Sequence, residues 1–287
     1  MESTSIPRAP RTSHAVCEVP IVALTAVSAH TTDHQGFGGI SLSIHRAESV
    51  AILGLDAAGK SLFCRILSGD EPLSSGSLRV GGCEVPAPPE SRDHPCRDVG
   101  LVESSGDLPA RLSVIDNVTR AQVRTRGMSP ILATERARAL LARVEMLAEA
   151  RTVAGKLSND QRRLVQIARA LALTPRLLVM DDPTGELGPS TGRLIADVVR
   201  EATREGTAVV LATDDLTLVR EAASRVIVVG AGRIVEDQPA ADFFLRPGTP
   251  QARDILARLA RADVEPEAEP EAEPDAVPDA VSGVAEG

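Results

Sequence analysis

The 287-residue chain contains no Trp and no Tyr, and only four Phe. Functions that stack a base or a sugar on an indole or a phenol are therefore excluded, and the core must be aliphatic. Hydrophobic residues make up 43% of the chain, enough for one large α/β domain or one domain with a smaller insert. The cysteines Cys17, Cys64, Cys83 and Cys96 lack CxxC spacing, the pattern of reduced thiols in a reducing compartment. No apolar stretch approaches the roughly eighteen residues of a membrane span. The opening MESTSIPRAPRTSHAVCEVP has no apolar run of secretory length. A soluble, cytosolic chain is expected.

Basic residues are missing from one whole end. After Arg261 there is no Lys or Arg, while eight acids fall between Glu265 and Glu286. Taking these from the net charge of −9 leaves about −1 for the rest. That balance cannot track a nucleic-acid backbone, so no nucleic-acid partner is expected. The run EPEAEPEAEPDAVPDAV offers too little apolar surface to offset the entropy of ordering it, and residues 264–287 are expected to be a disordered acidic tail. Residues 1–20 read as a second disordered arm, polar and proline-containing.

Between these ends the chain reads as ordered, with strands alternating with helices. Ser41–Ile44 and Val50–Leu55 are expected strands, the second buried because it is continuously apolar. A helix over Lys60–Ser68 follows, with Gly69 placed to stop it. Short strands are expected at Ser77–Val80 and Glu84–Val85. Residues 108–171 read as mainly helical, with one helix over Thr134–Ala150 on the spacing of Ala137, Leu140, Leu141, Val144 and Leu147. Then come a strand at Leu177–Met180, a helix near Ser190–Glu205, a strand at Ala208–Ala212, a short helix, and strands at Val226–Val229 and Arg233–Glu236. This alternation predicts a parallel-sheet core. The expected division is a domain over 21–247, a helical subdomain at about 105–172, and a C-terminal helix over 248–263.

The chemistry concentrates in GLDAAGKS, Gly54–Ser61. It fits G-x-x-x-x-G-K-[ST], with a buried strand before it and a helix after it. In that setting backbone N–H groups from Gly54, Leu55, Asp56, Ala57, Ala58, Gly59, Lys60, Ser61 and Leu62 hold phosphate oxygens. Lys60 bridges the terminal phosphates as the one cation expected there, and the Ser61 hydroxyl ligates Mg²⁺. LLVMDD, Leu177–Asp182, is an apolar strand ending in two carboxylates, of which Asp181 is the expected metal-holding acid. The cofactors expected are ATP and Mg²⁺.

Over residues 21–262 these motifs resemble the ABC ATPase family. LSNDQRRLVQIARAL (Leu157–Leu171) is similar to the family signature LSGGQ and its helix. LLVMDDPTGELGP is similar to the second acidic motif, and DLPARLSVIDNV (Asp107–Val118) to the segment after the glutamine loop. The ending ADFFLRPGTPQARDILARL most resembles importers of polar amino acids. The resemblance implies a P-loop NTPase fold of the ABC type: a mainly parallel sheet, an antiparallel β subdomain and an inserted helical subdomain. It also implies two ATP-binding subunits pairing head to tail beside membrane permease subunits, on the inner face of the cell membrane. Leu157, Ser158, Asn159, Asp160 and Gln161 then act on the partner's ATP, with Ser158 at its γ-phosphate. Ser158, Asn159, Asp160 and Gln161 also read simply as a helix-capping box, with Leu164, Ala168 and Leu171 as a buried stripe.

Several positions depart from the family pattern. Its catalytic Glu is Asp182 here, its switch His is Asp214, and the glutamine that contacts metal and water falls on Ser104, beside Glu103. The signature glycines are Asn159 and Asp160, and the Asp of the following loop is Gly188. Within the phosphate loop a usual Gly is Ala57 and a usual Asn is Asp56. The family's adenine-stacking aromatic would fall near His30–Thr31, where no Phe, Tyr or Trp stands, which predicts weak discrimination between ATP and GTP. A carboxylate about 5 Å from a phosphate charge costs on the order of 3 kcal/mol at an effective dielectric of about 20. An ionised Asp214 repels a γ-phosphate that a His could hydrogen-bond. Impaired hydrolysis is expected, with Asp182 and Asp214 at the catalytic positions and Ser61, Asp181 and Ser104 at the metal. A non-catalytic ATP-binding regulatory module of the same fold is the alternative. A different P-loop enzyme such as a nucleotide kinase would need its own substrate motif, and none is visible.

Overall fold

The computed structural model describes residues 19–30, 36–54, 57–85, 98–104, 106–185 and 187–262. The acidic tail, and the N-terminal arm up to residue 18, lie outside them. In chain order the elements begin with strands β1 (Val22–Ala29), β2 (Phe37–Ile44) and β3 (Ser49–Leu53), helix α1 (Ala57–Ser68), and strands β4 (Ser75–Val80), β5 (Cys83–Glu84) and β6 (Val99–Val102). Helices α2 (Val114–Arg126), α3 (Pro130–Arg143) and α4 (Asn159–Leu171) follow, then β7 (Leu177–Asp181), α5 (Pro189–Arg204), β8 (Ala208–Ala212) and α6 (Leu216–Ala222). The last elements are β9 (Arg225–Gly230), β10 (Arg233–Pro239), α7 (Ala240–Leu245) and α8 (Pro250–Ala262).

Two sheets form. The larger has the order β10-β9-β3-β8-β7-β6, parallel except for β10, which runs antiparallel on its edge. The smaller, β2-β1-β4-β5, is antiparallel. Every residue of β3, β7 and β8 is buried, because helices cover both faces of the large sheet. Alternate residues divide between the two sides. Leu177 and Val179 join the cluster around Phe63, Ile66 and Leu67 of α1. Leu178 and Met180 join Val165 and Ile167 of α4 and Ile195 and Val199 of α5. The scarce aromatics tie layers together. Phe37 of β2 meets Phe63 of α1 edge to face at 5.4 Å.

The structure shifts several boundaries. Helix α1 starts at Ala57 rather than Lys60, which places Lys60 in its opening turn. Strand β5 lies at Cys83–Glu84, one residue earlier than expected. The expected helix over Thr134–Ala150 is α3 instead, capped by the Ser129 hydroxyl with Pro130 in its first turn. It ends at Arg143, and Glu145 takes the left-handed φ of 55°. The apolar spacing continued beyond the stop because Val144 and Met146 remain buried in a turn, whereas Leu147 is 38% exposed. Strand β6 was not foreseen, being four residues long with a glycine inside it. Glycine eases the packing there, since a Cβ at Gly100 would sit 3.1 Å from the Ala170 carbonyl. Among the described residues no helix is long and apolar enough to cross a membrane.

Helix α8 is anchored by one carboxylate. Glu236 of β10 is 8% exposed and accepts from the Gly248 amide (2.6 Å), the Thr249 amide (2.7 Å) and the Thr249 hydroxyl (2.8 Å). Burial pushes its pKa up, but these donors and Arg253 pull it further down, to a net value below the ordinary glutamate range. A depressed pKa contributes stability above the unfolded-state value, lost as pH falls through the folded one. Glu236→Gln is expected to destabilise the protein by about 1–3 kcal/mol at neutral pH, with the gap to wild type closing below about pH 4. Denaturant melts across pH check this. An undiminished gap in acid contradicts the assignment to the charged form.

Candidate functional site

The site is assembled at the C-terminal ends of β3, β7 and β8, where parallel α/β sheets present their loops. Leaving β3, the chain turns at Gly54 with φ of 88°. A Cβ there would lie 2.3 Å from the Val229 carbonyl and 2.9 Å from Ile255 of α8, so only glycine fits. Leu55 and Asp56 lie outside the described residues. Ala57 and Ala58 open α1, followed by Gly59, Lys60 and Ser61. The start of this helix supplies backbone donors with the favourable end of its dipole. The Leu62 side chain is buried in the core beside Phe63, so any role for it at phosphate belongs to its backbone.

Side chains at or beyond the ends of four strands, β3, β6, β7 and β8, converge here. The Ser61 hydroxyl donates to Asp181 Oδ2 at 2.6 Å, and the Ser104 hydroxyl donates to the same oxygen at 2.9 Å. Lys60 is 5% exposed, and its Nζ pairs with Asp214 Oδ2 at 2.7 Å. Asp182 has φ of 42°, a left-handed geometry that Asp tolerates better than most residues. Its amide donates to the Ala212 carbonyl at 2.8 Å and its Oδ1 accepts from Thr213 at 3.3 Å. Burial raises its pKa first, with Asp214 and Asp181 adding to the rise and Lys60 and Thr213 opposing it. Lys60, Ser61, Ser104, Asp181, Asp182 and Asp214 thus share one small region.

Could this set hold MgATP? Among the described residues no cluster of three or more His, Cys, Asp or Glu suits a metal ion. A metal would therefore lean on Asp181, hydroxyls and phosphate oxygens, which is how Mg²⁺ is commonly held. The two hydroxyls on Asp181 suit that role. Asp214 Oδ1 and Thr184 Oγ1 are covered yet lack a hydrogen-bond partner, and both residues line a cavity of about 1020 Å³ with Asp182. Buried polar atoms without partners, on residues that line a cleft, fit a ligand-binding site.

Sequence reasoning missed Arg163. This α4 residue donates to the Glu103 carbonyl (2.6 Å) and the Ser104 carbonyl (2.9 Å), clamping the segment that presents Ser104. Burial lowers its pKa, against the opposing pull of Asp182 and Asp181. A second cation therefore stands in the electrostatic reach of the acids beside Lys60. Nothing in the sequence separates it from Arg162 next door. Gln166 completes the clamp by donating to the Gly106 carbonyl, and a cavity of about 420 Å³ between these groups also meets Asn159 and Asp182.

The signature positions lie at and just before the start of α4. Leu157 is buried, while Ser158 and Asn159 are exposed. Ser158 Oγ accepts from the Gln161 amide at 3.2 Å and Gln161 Oε1 accepts from the Ser158 amide at 3.1 Å, a complete capping box. Asp160 Oδ2 accepts from Thr191 Oγ1 (2.6 Å) and the Gly188 amide (3.2 Å). It thereby caps α5, whose own N-cap residue Gly188 has no side chain to do so. The two departing positions, 160 and 188, thus meet in one contact. His30 Nδ1 lies 3.0 Å from the Ser74 hydroxyl, and Thr31 lies outside the described residues.

Residues 37–185 match the family model described as ABC transporter. The chain is 33% identical over 239 residues to the glutamate transport ATP-binding protein GluA of Corynebacterium glutamicum, covering 83% of this chain and 99% of that protein. The chain belongs to the ABC transporter ATP-binding family. It is also 34% identical over 219 residues to the glutamate/aspartate import ATP-binding protein GltL of Escherichia coli K12, covering 76% of this chain and 91% of GltL. Among solved structures it superposes with a TM-score of 0.67 and 25% identity on the ATP-binding cassette MJ0796, solved as a dimer after hydrolysis with ADP and Pi bound. That match covers 76% of this chain and 98% of the cassette. Nucleotide binding is the common property of this ABC family, and the two sheets and helical insert are its P-loop fold.

Proposed function

We propose that this protein is the ATP-binding subunit of an importer of polar amino acids. In this reading it binds MgATP, pairs with a second ATP-binding subunit, and sits on permease subunits at the inner face of the cell membrane. Hydrolysis is impaired. The observation that carries the nucleotide role is the convergence of Lys60, Ser61 and Asp181, with Ser61 Oγ 2.6 Å from the carboxylate. The names of GluA and GltL support the cargo class. ATP binding belongs to residues 21–247 and the partner-facing signature to the helical subdomain at about 105–172. Helix α8 backs the phosphate loop through Ile255.

ATP, when bound, supplies the free energy released at its terminal phosphate. Lys60 holds phosphate oxygens, and the opening turn of α1 adds backbone donors. Ser61 and Asp181 hold Mg²⁺, with Ser104 steadying the carboxylate. Ser158 and Asn159, exposed at the α4 N-terminus, face the partner's nucleotide. The Lys60–Asp214 pair favours keeping a second reading, a regulatory module that binds nucleotide without turning it over. Co-expression with candidate permeases tests the assembly. A stoichiometric membrane complex whose stability rises with MgATP is expected. No complex with any amino acid permease, together with no MgATP binding at millimolar concentration, rejects both readings.

A further inference from the structure

We infer that Asp214 makes this a diphosphate-preferring site, one that takes ADP more readily than ATP because a carboxylate already holds the lysine at the terminal-phosphate position. The inference rests on the nucleotide reading above. Lys60 is buried to 5% exposure, and its ammonium meets Asp214 Oδ2 at 2.7 Å. The pairing is built into the sheet. β3 and β8 run parallel, with Ile52 opposite Ala212, so the residues that follow each strand emerge side by side. Asp214 is also fixed from behind. Asp215 caps α6 by accepting from the Leu218 amide at 2.9 Å, and its own amide donates to Thr213 Oγ1 at 3.1 Å.

The neighbouring charges do not relieve the conflict. Asp182 and Asp181 add further carboxylates, close enough that the fields of Asp214 and Asp181 both reach Asp182. The nearby Arg163 spends its donors on the Glu103 and Ser104 carbonyls. Lys60 has three donors, so one can serve a β-phosphate while another keeps Asp214. A γ-phosphate has no such accommodation. It adds charge where Asp214 stands and must either displace the carboxylate from Lys60 or sit against it. The Asp214 side chain is 43% exposed, so water screens the repulsion and the penalty is moderate rather than prohibitive.

Calorimetric titration of the full chain in Mg²⁺ buffer tests this, using ADP and the non-hydrolysable β,γ-imido analogue of ATP. Wild type is expected to bind ADP more tightly by about tenfold, the scale of one partly screened charge contact. Asp214→Ala and the isosteric Asp214→Asn are each expected to bring the ratio to about one or invert it, chiefly by improving the triphosphate. Asp214→Asn keeps the side-chain volume, so the test survives if the Ala variant fails to fold. A wild-type preference for the triphosphate, or a ratio unchanged in folded variants, overturns the inference while leaving the nucleotide reading intact. Binding of neither nucleotide by wild type overturns both.

Discussion

Lys60→Ala is expected to weaken nucleotide binding by about 100-fold, the largest loss available from one side chain here. Lys60 is the buried cation at the start of α1, and charge-assisted bonds to phosphate contribute about 1.5–3 kcal/mol each. Two such bonds at the lower end of that range correspond to roughly two orders of magnitude. The substitution also strips Asp214 of its partner and leaves its carboxylate to repel phosphate. The fold should survive, because Asp214 is 43% exposed and regains water. Calorimetric titration with MgATP, beside a thermal melt, measures both effects. An affinity within threefold of wild type would mean that the loop at Gly54 is not the phosphate site.

The second large effect concerns turnover. Wild-type ATP hydrolysis is expected to be slow, and Asp182→Glu with Asp214→His should raise it, further so with Ser104→Gln. A positioned general base contributes about 10²–10⁴-fold, so a gain of at least about tenfold is the expected result. The present groups are poorly arranged for that work. Asp182 is drawn onto Thr213, and burial raises its pKa. Asp214 is occupied with Lys60, and Ser104 spends its hydroxyl on Asp181. Removing such interactions raises the barrier more than it weakens ground-state binding. Glu at residue 182 must adopt the φ of 42° now taken by Asp, a strain on the order of 1 kcal/mol, so melting temperatures accompany the rates. Brisk phosphate release by wild type, unchanged in the folded variants, would defeat this reading of the three positions.

Both predictions depend on residues that differ in how far the sequence revealed them. Gly54, Lys60, Ser61 and Asp181 were legible because their spacing answers to local geometry. A glycine turn, a helix opening on phosphate donors and an apolar strand ending in acid are each written within a few consecutive residues. The buried strands β3, β7 and β8 were legible for the same reason: two covered faces demand an unbroken apolar run. Strand β6 was not, because four residues with a central glycine carry no period. The end of α3 was not, because buried residues in a turn prolong an apolar spacing after the helix has stopped.

Residue order alone was enough to read the fold class, the phosphate-loop motif and each departing residue. Only the packed chain reveals which groups those departing residues meet. Asp160 read as a charge aimed at phosphate, yet its carboxylate caps α5 through Thr191 and the Gly188 amide. Arg163 read as one of two adjacent helix arginines, yet it clamps the segment that carries Ser104. Asp214 read as a lost histidine, yet it holds Lys60 from 154 residues away. Hydrogen-bond partners of this kind are chosen by the parallel register of β3, β7 and β8, which sets distant loops beside one another. Sequence spacing encodes turns and periods within one element. It carries no record of which side chain meets which across a sheet.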